Sequence, residues 1–456
     1  MGGKKAGMKE HRRKKHGTGY VIALGFLIVI AVGTLLLSMP FSSADGTFTN
    51  PVDALFTSVS ATCVTGLVTQ VTATHWSVFG QVVILFLIQI GGLGFMTMAV
   101  LFSLLLGRAV TPKERMIIAM SFNLNSYDRI IVLVRRILFG TLIIEGTGAV
   151  ALSTQFIPAF GWGRGIWYSV FHSVSAFCNA GFDILGDSSL IPYQTNVVVN
   201  VTLMALIVVG GIGFLVWSDA VNVIKRKNRF SVYSRLVLLM TTALILSGAA
   251  LFALVEWNNP ATIGDLPVGE KILVCFFHSI TLRTAGFASF DNGAMTDGAK
   301  MLSMLYMFIG GASGSTAGGV KVVTVGVLLW SVVSVAVGRK RTVLFGRRIP
   351  EETCIRASAV ITFQLFLILI GALVLNAAEP AGTGIVNILY EVVSAVSTVG
   401  VTTGITPGLS VASKLVLVAL MYFGRVGILS VTCAISANLQ KKDSGISYPD
   451  ANLLIG

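Results

Sequence analysis

Charged residues are scarce in this chain of 456 residues. They make up 12% of the sequence, whereas hydrophobic residues make up 54%, and ordinary soluble domains contain roughly 25% charged residues. Mean hydropathy is +0.83, and apolar stretches with almost no charge recur along the chain, for example at 20–39, 81–106 and 414–437. Each is close to the roughly 20 residues that a helix needs to cross a bilayer. The composition therefore excludes a soluble globular protein and predicts a polytopic membrane protein.

Cysteine is also rare, and the five cysteines form no CxxC pair and no Cys/His cluster. A zinc site or a disulfide framework is therefore not expected. The loops between the apolar stretches are too short to form a domain and contain no catalytic constellation, so the sequence does not indicate an enzyme. The GxxG pairs lie inside apolar stretches, whereas a dinucleotide fingerprint would follow a strand. The sequence predicts no covalently bound cofactor and no nucleotide site in this chain.

The charges that are present alternate between loops. Basic clusters lie at 4–15, 108–136, 225–235, 339–356 and 441–442, whereas the loops between them carry mainly Asp and Glu. Basic loops remain on the cytoplasmic side of a membrane. This pattern predicts a multi-pass protein of the cell membrane with both termini in the cytoplasm. It also explains the net charge of +13 without nucleic acid as a partner, and leaves open whether the basic loops contact anionic lipid or an acidic protein.

A short motif occurs four times in the sequence. An aromatic residue, nine further residues and a glycine occupy 56–66, 171–181, 276–286 and 390–400, and a GxxG pair follows each glycine inside an apolar stretch. A long apolar stretch also precedes each copy. The repeating unit is therefore a helix, a short re-entrant pore helix and a second helix. Four tandem units predict an all-α membrane protein with eight transmembrane helices and four re-entrant pore helices around one central pore.

The repeats set the predicted domain boundaries. A basic cytoplasmic N-terminus covers residues 1–18, and a cytoplasmic C-terminal tail covers 439–456. The four repeats cover 19–106, 129–225, 232–337 and 353–438.

The re-entrant segments indicate a cation pathway. Such backbone is tolerated in a membrane only where protein buries it or where it lines a water-filled cavity, and the negative dipole ends of four pore helices would favour a cation on the axis. Glycine reaches the positive φ that turns the preceding carbonyl groups toward the axis, where they can replace the hydration shell of an ion. No ring of carboxylates accompanies these residues, which argues against a calcium-type filter. The candidate filter residues are Val64, Thr65, Gly66, Asn179, Ala180, Gly181, Thr284, Ala285, Gly286, Thr398, Val399 and Gly400.

The second helix of the third repeat contains five glycines within residues 310–319. Each glycine costs about 1 kcal/mol relative to alanine in a helix interior, so we predict a break in this helix. The alternative is a face of small residues that packs against another helix. Lys321 follows the segment and is either part of a gate or an interfacial lysine whose ammonium reaches the headgroups.

Two arginines lie within apolar stretches. Arg425 occupies the place that glycine or alanine holds in the other GxxG copies, and an intramembrane arginine costs about 2.5 kcal/mol or more. We expect it to face the pore, where it would repel cations and donate hydrogen bonds to carbonyl groups; the alternative is an ion pair with Glu145. Arg283, three residues before a filter glycine, is predicted to lie behind the pore helix and to pair with an acid such as Glu391.

Several motifs resemble one family. FCNAGF at 177–182, RTAGF at 283–287, GGASGSTAGGVK at 310–321 and FGRVG at 423–427 resemble the Trk/Ktr/HKT superfamily of potassium transporters, across essentially the whole chain, and most of all its KtrB-like pore subunits. The resemblance implies uptake of K⁺, which would bind at the candidate filter residues. It also implies that glycine at all four filter positions favours K⁺, since serine at the position of Gly66 accompanies sodium preference in plant relatives.

The resemblance further implies a gate and partners. Residues 310–319 would form an intramembrane loop that blocks the pore below the filter, with Gly310, Gly311, Gly314, Ser315, Thr316, Gly318 and Gly319 as gate residues. Our own hypothesis from its charge and position is that Arg425 forms one gate with this loop. The chain would form a homodimer within membrane lipid and would bind a cytoplasmic ring of RCK-type, KtrA-like subunits, which alone carry the nucleotide. Dependence on Na⁺ stays open. Alternatives are a secondary transporter, whose repeats usually number two, a sodium-permeable channel, and the longer potassium-binding subunit of an ATP-driven pump.

Overall fold

The structure is a computed structural model of the chain, and it describes residues 18–94, 98, 130–226, 229–339 and 341–427. Within these residues the chain is mostly helical, and the predicted repeats follow one another in order. The predicted C-terminal tail, almost all of the N-terminus, most of repeat 1 beyond residue 94 and repeat 4 beyond residue 427 lie outside the described residues.

Each repeat begins with a long apolar helix, which we call its first helix. The first helices are Thr18–Ser38, the N-terminal part of Ile130–Phe177, Val232–Glu256 and Glu351–Ala378. All four are long and apolar enough to cross a membrane. Large apolar side chains stand exposed on their outer faces, as Ile143 does with 65% exposure and Leu254 with 80%. Such faces suit contact with lipid rather than with water.

The four pore helices are short. They are Pro51–Thr62, the part of Ile130–Phe177 after Gly161, Val268–Thr281 and Ile385–Val396. Gly161 has φ 80° and ψ 170°, and it marks the kink between the first helix and the pore helix of repeat 2. The start of pore helix 1 shows why these helices form where they do. Asn50 caps it by accepting a hydrogen bond from Val52 N, and Pro51 and Asp53 occupy its first turn, where both residue types are favourable.

The third pore helix departs from the predicted nine-residue spacing. Each pore helix has a fully buried aromatic residue at the equivalent position: Phe56, Phe171, Phe277 and Tyr390. Phe276, which the spacing selects, is only partly buried, so the prediction is wrong by one residue in this repeat. The physical reason is a tighter turn after the helix. Ala285 N donates to Thr281 O, four residues back, at 2.9 Å, whereas Thr65, Ala180 and Val399 each donate to a carbonyl five residues back at 2.8 Å.

The second helices are interrupted at or near their GxxG pairs. In repeats 1 and 2 they are Val78–Leu93 and Val197–Ile212, and they end at Gly94 and Gly213 with φ of 86° and 96°. The following helix of repeat 2, Phe214–Arg226, is bent away by 91°. The sequence predicted a break in repeat 3 alone, so continuity in the other two was wrong. Glycine adopts these φ values without a steric penalty.

Repeats 3 and 4 interrupt their second helices differently. In repeat 3 the helices Asp297–Phe308 and Val322–Ala336 flank residues 310–319, which form no helix, as predicted. In repeat 4 the helix Val411–Tyr422 continues into a π-helix, Phe423–Gly427. A π-helical turn often marks a functional position in a helix, and here it contains Arg425.

In repeats 1, 2 and 4 the first glycine of the GxxG pair lets the second helix approach the end of its own pore helix. A Cβ built on this glycine would collide with a carbonyl oxygen four residues before the filter glycine. The pairs are Gly91 with Thr62 O, Gly210 with Phe177 O and Gly424 with Val396 O. In repeat 3, Gly311 instead meets Gly211 O, at 2.7 Å from a built Cβ. The motif therefore serves the close approach of two backbones.

Short elements connect the main helices. They are the helical turns Pro40–Ser42, Thr72–His75, Ile191–Tyr193, Asn292–Ala294, Ala381–Thr383 and Thr406–Gly408. Between repeats 3 and 4 the strands Val343–Leu344 and Arg347–Arg348 pair in antiparallel fashion.

Candidate functional site

The four candidate filter segments follow the same backbone course. Their glycines Gly66, Gly181, Gly286 and Gly400 have φ of 97°, 70°, 84° and 97°. Positive φ also occurs two residues before each glycine, at Val64, Asn179, Thr284 and Thr398, with values of 58°, 58°, 65° and 50°. Non-glycine residues seldom adopt such angles. Because the same angle occurs at the equivalent position of all four repeats, the backbone of these segments is held in one constrained conformation.

The four glycines form a closed ring. A Cβ built on each one would meet the carbonyl oxygen that precedes the glycine of the next repeat. The contacts are Gly66 with Ala180 O (2.6 Å), Gly181 with Ala285 O (2.9 Å), Gly286 with Val399 O (2.6 Å) and Gly400 with Thr65 O. The last contact returns to the first repeat. The repeats therefore surround one axis in their sequence order, with no room for a side chain at the glycines; we call this arrangement the glycine ring.

Hydroxyl groups of the pore helices hold the segments in place. Ser60 Oγ accepts a hydrogen bond from Gly66 N, and Ser394 Oγ accepts one from Gly400 N, both at 3.0 Å. In repeat 2, Ser175 Oγ donates to Phe182 O at 2.7 Å. These bonds occupy the serine side chains and fix the backbone on either side of the glycine ring.

Residues 310–319 form a loop directly beside the glycine ring. Ile309 and Val320 form a parallel bridge, and Gly310 N donates to Val320 O at 2.9 Å. The two ends of the loop therefore lie side by side. Thr316 Oγ1 bonds to Asn179 Oδ1 at 3.1 Å, and Gly318 N donates to Thr284 Oγ1 at 3.1 Å. Two candidate filter residues, Asn179 and Thr284, therefore contact the loop through their side chains.

The loop is also bound to the second helix of repeat 2. Ala312 N donates to Gly211 O at 2.9 Å, and Phe214 N donates to Gly314 O at 2.9 Å. Tyr233 of repeat 3 adds a bond from its hydroxyl to Ser313 O at 2.6 Å. The break at Gly213 thus provides backbone groups that the loop uses as hydrogen-bond partners.

Arg425 bridges the loop and repeat 1. Its Nη1 donates to Thr316 O at 2.8 Å, and its Nη2 donates to Gly91 O at 2.7 Å. The guanidinium group suits such a bridge, because its donors have a fixed planar geometry. The alternative partner Glu145 is occupied elsewhere: it accepts from Gln89 Nε2 at 2.8 and 3.1 Å.

Lys321 turns back onto the loop. Its ammonium donates to Ala317 O at 2.6 Å and to Gly318 O at 3.3 Å. The side chain therefore binds loop carbonyls. Together, Arg425 and Lys321 place two cationic groups on the loop backbone.

Arg283 does not pair with Glu391, so that prediction is wrong. Arg283 is 5% exposed, and its Nη2 donates to Thr241 Oγ1 of the first helix in repeat 3 at 3.3 Å. Glu391 is instead occupied by its own repeat, accepting from Thr403 N at 2.9 Å and from Thr406 Oγ1 at 2.8 Å. Hydroxyl and amide donors after Gly400 satisfy the carboxylate locally.

Sequence reasoning missed a set of polar contacts between the second helix of one repeat and the next pore helix. They are Gln81 Oε1 with Trp167 Nε1 (2.8 Å), Lys300 Nζ with Asn387 Oδ1 (3.2 Å) and Lys414 Nζ with Asp53 Oδ1 (3.3 Å). The three second-helix residues lie ten or eleven residues before a GxxG glycine. That shared position was a signal that could have revealed them.

Comparisons with known proteins agree with this architecture. Residues 4–444 match the family model TrkH, described as a cation transport protein. The chain is 42% identical over 451 residues to the potassium/sodium uptake protein NtpJ of Enterococcus hirae, covering 98% of this chain and 99% of that protein. It is 40% identical over 441 residues to the Ktr system potassium uptake protein B of Bacillus subtilis, covering 96% of each. The crystal structure of the potassium transporter TrkH from Vibrio parahaemolyticus has the same fold, with a TM-score of 0.71 at 20% identity over 93% of this chain and 86% of that one.

Proposed function

Because the chain belongs to the TrkH family of cation transport proteins and is not an enzyme, we propose that it takes up K⁺ across the cell membrane as a pore-forming subunit. The observation that carries the proposal is the closed glycine ring, in which four carbonyl oxygens lie beside four glycines around one axis. Carbonyl rings that replace a hydration shell select K⁺ in other proteins. The names of two relatives, both uptake proteins for potassium, support the same ion.

Buried hydroxyl groups at the ring add support for an ion pathway. Within the described residues, Thr65 Oγ1 and Thr398 Oγ1 have no hydrogen-bond partner, and neither does Ser397 Oγ. Buried polar atoms normally have partners, and ions with their accompanying water would supply them here. K⁺ is the transported ion in this proposal and would bind at the backbone of the twelve candidate filter residues, so their different side chains need not match.

The gate in this proposal is the loop at 310–319 held by Arg425. The hydrogen bonds of Arg425 to Thr316 O and Gly91 O would lock the loop across the pathway below the glycine ring. Its positive charge would also repel a cation that approaches from either side. Lys321 supports the closed loop through Ala317 O and Gly318 O. Opening would require the bonds of Arg425 and Thr316 to break together.

We also propose partners and an orientation. The name of the Bacillus subtilis relative describes a multi-component Ktr system, which supports a partner subunit for this chain. Cytoplasmic termini would fit the basic loops of the sequence. On the same side, a cytoplasmic ring of RCK-type subunits would bind the nucleotide. The pore subunit itself would form a homodimer. The ring would act on the loop from the cytoplasmic side.

Sodium permeation is the second candidate function. It is favoured by the name of the Enterococcus hirae relative, which includes sodium. The proposed filter argues against it, because glycine at all four positions keeps side chains out of the ring and leaves carbonyl oxygens around the axis.

The decisive experiment measures ⁸⁶Rb⁺ uptake into proteoliposomes that contain this chain alone, with K⁺ or Na⁺ as competitor and empty liposomes as control. We expect K⁺ to abolish the uptake and an equal concentration of Na⁺ to leave it. Equal competition by Na⁺ would replace the potassium proposal with the sodium candidate. If no uptake occurs, a variant that lacks residues 313–315 distinguishes a closed gate, which predicts recovery, from a protein without a pore.

A further inference from the structure

One position of the first helix differs between the repeats. In three repeats a pore-helix serine donates to a carbonyl of this helix: Ser58 to Ile30 O (2.9 Å), Ser173 to Glu145 O (2.6 Å) and Ser279 to Ile245 O (2.9 Å). A glycine three residues further on packs against the same serine. In repeat 4, Gly371 packs against Val392 instead, which makes Ile368 the equivalent residue. The position therefore carries isoleucine in three repeats and glutamate in repeat 2.

Glu145 is held by a residue of the preceding repeat. Gln89 Nε2 donates to both carboxylate oxygens, at 2.8 and 3.1 Å, and Gln89 Oε1 accepts from Cys178 Sγ at 2.9 Å. Glu145 is 6% exposed and Cys178 is fully buried. No basic side chain of the described residues bonds to this carboxylate. Packing alone cannot explain its presence, because isoleucine fills the same position elsewhere and a buried carboxylate is costly.

The surroundings of this trio are apolar. Gln89 and Glu145 line a cavity of about 310 Å³ whose other walls are formed by Leu85, Phe86, Leu142, Gly146, Ala149, Val170 and Val174. Phe86 and Leu142 are more than half exposed on the outer surface of the helices. With little water available there, the three polar groups depend on one another for hydrogen bonds, and each bond is correspondingly strong.

Cys178, the last member of the trio Gln89, Glu145 and Cys178, lies next to both the candidate filter and the proposed gate. Cys178 precedes Asn179, which has a φ of 58° and whose side chain bonds to Thr316 of the loop at 3.1 Å. Asn179 Nδ2 also donates to Arg283 O in the next filter segment at 3.4 Å. A shift of Cys178 would therefore be passed to Asn179, and from there to the filter of repeat 3 and to the loop.

We propose that Gln89 and Glu145 are positioning residues of the ion pathway. They hold Cys178 through its thiol and thereby fix the backbone of Asn179 at the glycine ring. The inference rests on the proposed function, because selectivity for K⁺ is its readout. It assigns to the junction of repeats 1 and 2 a polar support that the corresponding isoleucines do not give the other three filter copies.

The test replaces two members of the trio, Glu145 and Gln89, by residues that other repeats use. Glu145→Ile introduces the residue of the three equivalent positions, and Gln89→Val introduces the residue found at Val208, which also lies two residues before the first GxxG glycine. The double variant removes both the buried carboxylate and the amide that binds it, so neither is left without a partner and the protein should fold. Glu145→Gln keeps an acceptor for Gln89, and Leu142→Ala is the matched control, because Leu142 lines the same cavity without a polar contact. Each protein is assayed for ⁸⁶Rb⁺ uptake with K⁺ or Na⁺ as competitor and for its monodispersity in detergent.

We expect Glu145→Gln and Leu142→Ala to retain the K⁺ preference of the unmodified protein. Glu145→Ile should lose about tenfold of that preference, as a broken buried hydrogen bond would, and the double variant should stay monodisperse yet keep the loss, because Cys178 has lost its acceptor. A double variant with full K⁺ preference would overturn the inference and leave the proposed function intact. Absence of K⁺ preference in the unmodified protein would overturn the proposed function and, with it, this inference.

Discussion

Gly66 shows how little freedom a residue of the glycine ring has. Its φ is 97°, and a Cβ built on it would lie 2.6 Å from Ala180 O and 3.0 Å from the Cα of Gly181. A side chain would therefore both strain the backbone and displace a carbonyl group of the neighbouring repeat. The two costs can be separated, because Gly404 has a similar φ of 89° with nothing within 4 Å of its built Cβ.

Gly66→Ser should reduce the preference of uptake for K⁺ over Na⁺ by at least about tenfold, because the displaced carbonyl no longer fits a dehydrated ion of one size. Gly404→Ser carries the same backbone strain outside the ring and should retain the preference. The measurement is ⁸⁶Rb⁺ uptake with graded Na⁺ as competitor. If both variants lose selectivity equally, strain in the outer loops rather than the geometry of the ring controls the filter.

Sequence reasoning selected four glycines that do lie together, because their positive φ depends on the backbone alone. The four ring glycines recur at one spacing, and the structure brings all four together. Sequence reasoning failed where the bonding partner of a side chain depends on tertiary packing. Arg283 was expected to meet Glu391, but the donors that surround Glu391 come from its own repeat, and no pattern in the sequence indicates this. The buried aromatic residue of repeat 3 is Phe277 and not Phe276 for a similar reason, since this depends on a turn that the sequence does not specify.

At the scale of elements, helix breaks set the course of the second helices. The breaks at Gly94 and Gly213 were not predicted, because the residues on either side of GxxG are as apolar as a continuous helix would require. The break in repeat 3 was predicted, because five glycines in ten residues exceed what a helix interior tolerates. The π-helix at Phe423–Gly427 gave no sequence signal except the arginine that it contains.

Among the side-chain hydrogen bonds that the structure describes, only the bond from Arg425 to Thr316 O joins the π-helix to the loop at 310–319. Arg425→Ala should therefore raise basal ⁸⁶Rb⁺ uptake several-fold, because the loop loses its bond from Arg425 to Thr316 O and the pathway loses a positive charge. Arg425→Lys separates the two effects. Lysine keeps the charge but lacks the planar group that reaches two carbonyls, so we expect an intermediate rate. Unchanged uptake in both variants would show that Arg425 has no part in a gate.

At the scale of the whole molecule, four repeats on one chain must close into a ring that has no covalent link between its ends. Hydrogen bonds and apolar contacts between neighbouring repeats close it: Phe56 and Val59 of repeat 1 lie in one buried apolar cluster with Leu417 and Leu420 of repeat 4. The junction of repeats 4 and 1 has an ion pair in addition. Lys414 Nζ lies 3.3 Å from Asp53 Oδ1, and their side chains are 14% and 11% exposed. Asp53 also accepts a bond from Gln70 at 3.2 Å. The sequence predicted that the repeats surround one pore. It did not predict their cyclic order, because it does not say which glycine meets which carbonyl oxygen.

Breaking the Asp53–Lys414 pair should open this junction first. Lys414→Gln leaves a largely buried carboxylate with Gln70 as its remaining side-chain partner, which should lower the free energy of unfolding by about 2 kcal/mol or more. The exposed pair of Glu352 and Arg356, with side chains 67% and 36% exposed, is the matched control, and Arg356→Gln should cost no more than about 0.5 kcal/mol. Thermal unfolding in detergent measures both.

The exchanged variant Asp53→Lys/Lys414→Asp then decides whether attraction or local packing matters at this junction. If attraction closes the ring, the exchange should recover part of the lost stability, and the double-mutant cycle should give a favourable coupling energy. Recovery will be incomplete, because the carboxylate leaves the first turn of pore helix 1, where the helix dipole favours it. A coupling energy near zero would mean that the glycine ring and the apolar contacts between repeats 4 and 1, rather than the ion pair, hold them together.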